Sequence, residues 1–140
     1  MRKKTLWLFI AILAIGLITA ISVWQFVFKK SDVSVASRAV QVEISVSELV
    51  SRFESNEEMA NNDFLDKVIL VVGKVESVNA DSLGASVYLK DPDEMAGVLC
   101  NFSSGIVDIN TISKGETLKV KGLCSGYLMD VVLNKCSVVD

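Results

Sequence analysis

Lys67 to Val78 reads KVILVVGKVESV, and how that run is taken decides the fold. Val, Ile and Leu crowd its first half, where β-branched side chains suit a pleated strand better than a helix. From Val72 the pattern alternates through Lys74, Glu76 and Val78, the period of a half-buried strand. Gly73 sits in the middle. There it would supply a kink or bulge. The run therefore reads as one long bent strand that serves two sides of a curled sheet.

Working outward from it, Asn79 to Gly84 (NADSLG) is a turn cluster, and Ala85 to Lys90 (ASVYLK) alternates as a second strand that Asp91-Pro92-Asp93 ends. Val98 to Phe102 (VLCNF) is a short third strand. Ser103 to Gly115 follows, with Ile106, Ile109 and Ile112 recurring every third residue, which predicts one or two helical turns covering an opening. Glu116 to Cys124 (ETLKVKGLC) is a fourth strand, with Leu118 and Val120 facing one way and Lys119 and Lys121 the other; Met129 to Val139 is a fifth. Upstream, Ser45 and Glu48 have capping-box spacing, and Val46, Leu49, Val50 and Phe53 follow a helical stripe, predicting a helix from Ser47 to Asn61 whose apolar face is core. Five short strands after a helix make a mainly β domain. An open sheet would leave reactive edges, so the expected architecture is a five-stranded OB-type Greek-key barrel preceded by an α-helix, over residues 45–140.

The first thirty residues are of another kind. Leu6 to Phe28 holds 23 residues without a charge, about 34 Å of helix, enough to cross a bilayer core of about 30 Å. The apolar run continues past Ile18-Thr19-Ala20, which makes it too long for a cleavable signal and favours an N-terminal transmembrane anchor over residues 1–30, in contact with lipid from Leu6 to Phe28. Trp7 and Trp24 fall near the two interfaces. Arg2, Lys3, Lys4 and the amino terminus precede the span and Lys29 and Lys30 follow it, so the bias favours an inner-membrane, single-pass protein with its C-terminal domain outside the cytoplasm, in the periplasm. Residues 31–44 read as a linker. Beyond residue 30, nine basic residues face seventeen acidic ones, a formal charge of −8 that repels phosphate backbones and anionic lipid heads.

GKVESV, VLCNF, KGETLKVKGLCSG and MDVVLNKC resemble a bacterial family of small membrane-anchored or lipoprotein OB-fold proteins described as tRNA-anticodon-like. Gly73 and Val75 match its G-x-V step, and Lys114, Gly115, Val120, Gly122, Cys124, Gly126, Asp130, Val131 and Leu133 fit its run into the last strand. The resemblance covers Ser45 to Val139. It implies a helix ahead of an OB barrel, and no activity, since "tRNA" there records likeness of barrel shape.

Cys100, Cys124 and Cys136 lie 24 and 12 residues apart in a chain without histidine, which gives no C-x-x-C pair and no zinc set; neither metal nor cofactor is expected. An exported domain favours a disulfide. Cys124 and Cys136 fall at opposite ends of a hairpin, so Cys100 with Cys136 is the first pairing and Cys100 with Cys124 the second.

Asp91, Asp93 and Glu94 make a solvated turn more readily than a calcium loop, and Asp130 reads as an acid that closes a turn by accepting backbone hydrogen bonds. The absence of histidine also removes a Ser-His triad, and no residue set points to an enzyme. On an OB barrel a nucleic-acid site would need aromatic stacking and basic charge; Tyr88 and Tyr127, with Lys90, Lys119 and Lys121, are the candidates for ligand binding. Against them stand the net −8 and the expected address. The first reading is accordingly a binding or assembly module for an envelope protein, peptide or glycan, and the alternative is a tethered nucleic-acid-binding domain.

Overall fold

The computed structural model describes residues 2–28 and 35–140, with side chains in the first segment limited to Lys3, Trp7 and residues 12–23. Lys29 and Lys30, the start of the linker and the Trp24 side chain lie outside the described residues. The chain divides into two compact units, Met1–Val33 and Ser34–Asp140.

In the first unit the described residues form one 27-residue helix, α1 (Arg2–Phe28). Among the described residues no helix is long and apolar enough to cross a membrane.

The second unit holds β1 (Val42–Ser45), α2 (Val46–Ser55), α3 (Glu57–Phe64), β2 (Val68–Ala80), β3 (Gly84–Leu89), β4 (Val98–Ser103), β5 (Thr117–Tyr127) and β6 (Val131–Val139). Strand order is β1-β2-β3-β4-β6-β5, and a further β2–β5 pairing closes β2 to β6 into a five-stranded barrel. The long strand does serve two sides: Val68 to Lys74 pair with β5, and Val75 to Ala80 pair with β3. The irregularity that re-aims it lies between Val75 and Ser77, at Glu76. Gly73 has a different role, because a Cβ there would come within 2.3 Å of Val46 Cγ2; it makes room for α2 to press Val46 onto the strand.

Ser45 caps α2, its hydroxyl accepting from the Glu48 amide at 3.3 Å. The single helix expected from Ser47 to Asn61 is two. Asn56 ends α2 by donating its amide to the Arg52 carbonyl and starts α3 by accepting from the Met59 amide at 3.0 Å. An Asn followed by Glu57 and Glu58 is the N-cap and acidic first turn of a new helix. Val46, Leu49, Val50 and Phe53 enter the core, as their stripe requires.

Three other expectations are corrected. Part of the linker is folded: the Val35–Ser37 turn packs over β5 and β6 with Val35 buried, and β1 runs parallel to β2, pairing Val42 to Ser45 with Ile69 to Val72. The isoleucine-rich connection covers the barrel only in part. It contains one of the expected helical turns, Ile109–Thr111, capped by Asp108 and flanked by Gly105 and Gly115 at positive φ; Val107 and Ile112 pack against the core while Ile106 is left exposed. Lys121 is buried rather than solvated, on a strand paired on both sides and overlaid by the Val35–Ser37 turn.

All three cysteines are buried free thiols. Lys135, at φ 53°, shifts the phase of β6 so that Leu133 and Cys136 both face inward. Cys136 meets Cys100 through a thiol–thiol hydrogen bond, which with burial holds the Cys100 thiol well above its usual range. Gly122 is where the chain passes Cys136 closely, a Cβ there lying 2.7 Å from its sulfur. The first-choice pair is thus brought together as thiols and not as a disulfide; Cys124, the alternative partner of Cys100, is buried apart from that bond.

Candidate functional site

Strands β3 and β4 turn alternate residues outward. On β3, Val87 and Leu89 are buried while Ser86 and Tyr88 are half-exposed; on β4, Cys100 and Phe102 are buried while Leu99 and Asn101 are half-exposed. Register lines the outward residues up into two rows across the barrel.

The first row is polar. Asn79 stands opposite Ser86, and Ser86 opposite Asn101. The Asn101 amide then donates to Asn134 Oδ1 at 3.0 Å, and the Asn134 amide donates to Ser125 Oγ at 2.8 Å. Five strands thereby contribute to one band of amides and hydroxyls with no charge in it. The second row is less polar: Ser77 opposite Tyr88, Tyr88 opposite Leu99, and Leu99 opposite Val132.

At one end the polar row runs into a cavity of about 440 Å³ lined by Asn79, Asp81, Leu83, Ser86, Asn101 and neighbouring backbone. This is within the size range of small-ligand sites. Asp81 shapes it by accepting from the Leu83 and Gly84 amides at 2.8 and 3.0 Å, which holds the β2–β3 turn and leaves Leu83 projecting into solvent. Along it β3 and β4 approach closely, a Cβ at Gly84 falling 2.3 Å from the Phe102 carbonyl oxygen. At the other end Asp130 closes the barrel. One of its oxygens accepts from the Tyr88 hydroxyl at 2.7 Å and from the Gly97 amide at 2.8 Å, so the carboxylate takes a backbone hydrogen bond as expected but reaches across to β3 and the β3–β4 connection instead of closing its own turn. Burial, the Asp130 hydrogen bond, the Asp130 charge and Glu76 together push the Tyr88 phenol up to about 12.

The five candidate side chains do not converge. Tyr88 is on the outer face, with its hydroxyl committed to Asp130. Lys90 follows β3 immediately, its amide bonded to the Lys74 carbonyl. Lys119 and Lys121 are on β5, which borders β2 and β6 and neither of the strands that carry the face. Tyr127 stacks on Phe53 of α2, ring centroids 5.6 Å apart, so its ring packs beneath the helix. The outward side chains of β3 and β4 include no lysine or arginine. Asn79, Ser86 and Asn101 escaped the sequence reading; the available signal was polar residues at outward positions of alternating strands.

A family model described as tRNA_anti-like matches residues 1–138. Comparison with curated proteins finds no match. Among solved structures, a "putative nucleic acid-binding lipoprotein" from Klebsiella pneumoniae subsp. pneumoniae MGH 78578 is similar at 22% identity and a TM-score of 0.58, over 79% of this chain and 98% of that one. A "putative aspartyl-tRNA synthetase" from Leishmania major Friedlin aligns at 18% identity and a TM-score of 0.44, over 74% of this chain and 21% of that one. The first of these supports the barrel fold.

Proposed function

Because the chain belongs to the tRNA_anti-like family, matched over residues 1–138, we propose that it is a membrane-tethered, non-catalytic binding module that holds a neutral glycan on the outer face of β3 and β4. The observation that carries this reading is the uncharged row from Asn79 through Ser86 and Asn101 to Asn134 and Ser125, ending in the cavity at Asp81. Amides, two hydroxyls and one carboxylate suit sugar hydroxyl and acetamido groups, which both donate and accept. The full chain in phosphocholine micelles, titrated calorimetrically with the neutral tetramer of N-acetylglucosamine, is expected to bind it saturably. Asn79→Ala and Ser86→Ala each remove one partner and are expected to weaken binding by about tenfold. No saturable heat, or affinity unchanged in both variants, would overturn the reading.

The second reading, single-stranded nucleic acid, is favoured by the description of the Klebsiella lipoprotein. Opposing it are the absence of basic residues from this face and the −8 carried beyond residue 30.

The proposed address is the inner membrane, with α1 as anchor and Ser34–Asp140 outside the cytoplasm. The uncharged run from Leu6 to Phe28 and the basic residues before it support this. On an oxidising side the Cys100 and Cys136 thiols would pair by exchange with an envelope disulfide oxidant, losing their two hydrogens as that disulfide is reduced to two thiols. Chain isolated from envelopes under acid quench, then denatured and alkylated without reductant, is expected to carry one label, on Cys124. Three labels would contradict the address.

A further inference from the structure

We propose that the end of the barrel built from the β3–β4 connection and the β5–β6 turn docks a cationic amphipathic segment of a partner protein. Three large apolar side chains stand almost fully in solvent there: Met95 at 93%, Leu128 at 88% and Met129 at 82%. They belong to two segments locked together. Gly97 donates to Asp130 at 2.8 Å and accepts from the Val131 amide at 3.0 Å, which brings the residues just before Gly97 beside the Leu128 to Asp130 turn. Isolated exposed leucines and methionines are ordinary, but three on one braced tip form a patch of the kind that marks an interaction site. Methionine adapts its shape to varied apolar partners.

The surroundings select the partner's charge. The β3–β4 connection, Lys90 to Gly97, reads KDPDEMAG, three acids against one base. Glu94 is already engaged by the Ser47 hydroxyl at 3.0 Å, whereas Asp93 is exposed. On the other flank Glu54, Asp130 and Glu57 reach Tyr127, which immediately precedes Leu128; after burial, their negative charge helps to raise the Tyr127 phenol. An apolar tip with an acidic rim complements a helix bearing leucines on one face and lysines or arginines at its margins. The same rim repels anionic lipid headgroups and a second copy of this chain. This surface is separate from the row of amides and does not depend on the glycan reading.

The test uses the full chain in zwitterionic nanodiscs, labelled at methionine methyl carbons; Met1, Met59, Met95 and Met129 give four signals, assigned by single Met→Leu variants. The probe is a synthetic leucine–lysine peptide of about 14 residues, roughly four helical turns, with a leucine–glutamate analogue of the same apolar face as control. Saturable movement of the Met95 and Met129 signals with the cationic peptide is expected, with Met1 and Met59 unmoved and no response to the analogue. Leu128→Glu, an exposed position whose change leaves the fold intact, is expected to weaken binding by about tenfold or more. Asp93→Asn with Glu54→Gln should weaken it and flatten its salt dependence. The proposal is overturned if the Met95 and Met129 signals stay still, or if both peptides move them equally. It also fails if anionic nanodiscs alone move them, which would indicate a lipid surface, or if they move with protein concentration alone, which would indicate self-association.

Discussion

Phe53→Ala is expected to lower the unfolding free energy by about 3–5 kcal/mol, the usual range for emptying a buried phenylalanine site. Phe53 is 1% exposed and is the side chain through which the helices hold the barrel. Its ring lies 6.0 Å from Phe64 of α3 and 5.6 Å from Tyr127 at the end of β5. Truncation therefore removes buried area, leaves a cavity, and breaks two aromatic contacts worth about 0.5–1.5 kcal/mol each beyond area. The site is poorly placed to collapse, since Leu49 and Val50 on the same helix are already at 0% exposure. Denaturant unfolding of the full chain in micelles, followed by circular dichroism, measures the loss. Exposed Glu54 on the next position serves as control, its alanine variant staying within about 0.5 kcal/mol. A Phe53→Ala loss below about 1 kcal/mol would show that α2 does not brace the barrel as described.

Asp130→Ala is expected to cost about 1–3 kcal/mol through the Gly97 amide alone, which is buried and loses its acceptor. Tyr88 loses its partner as well, but its half-exposed hydroxyl can turn to water. Asp130→Asn keeps an acceptor oxygen and separates charge from shape. The phenol supplies a pH signature. In the folded chain Tyr88 ionises at about 12 against an ordinary 10.0, so between those values the native state keeps a proton that the unfolded chain has released. The associated stability is complete below pH 10 and is lost as pH rises through about 12. Absorbance titration of tyrosinate should show Asp130→Asn moving one phenol part of the way back. The shift should persist in part, because burial is its largest cause and is untouched by the substitution. A wild-type titration with both phenols at the ordinary value would contradict the Tyr88–Asp130 contact.

Much of the barrel is legible in the sequence because its strands obey local rules. The alternation of ASVYLK and of LKV, and the Ser45 to Glu48 cap, each concern neighbours within a few positions; the structure places the two strands with bounds moved by one to three residues and starts α2 directly after Ser45. β1 was missed although Val42, Ile44 and Val46 alternate, because four residues merging into a helix cap give too short a period to separate from a linker. Asn56 was read through because helix formers surround it; its double capping role appears once both helices have directions.

The site was less legible, for a physical reason. Asn79, Ser86, Asn101, Asn134 and Ser125 come together through cross-strand register and a barrel closure in which β4 meets β6 out of chain order. Taken singly, each is the ordinary polar residue of an outward strand position. Tyrosine and lysine drew the first reading because their chemistry is visible without a structure. Yet Tyr127 is consumed by a stacking partner 74 positions earlier in the chain, Phe53, and Lys121 is buried on a strand paired on both sides.

Salt dependence separates the neutral face from a phosphate-binding one most directly. The full chain in zwitterionic nanodiscs would be titrated with the N-acetylglucosamine tetramer and, separately, with a thymidine oligonucleotide of about 12 residues, at several salt concentrations between about 50 and 200 mM. Saturable glycan binding whose affinity is flat in salt is expected, with no oligonucleotide binding even at the lowest salt. Oligonucleotide binding that weakens steeply as salt rises, with the glycan inert, would contradict the glycan reading.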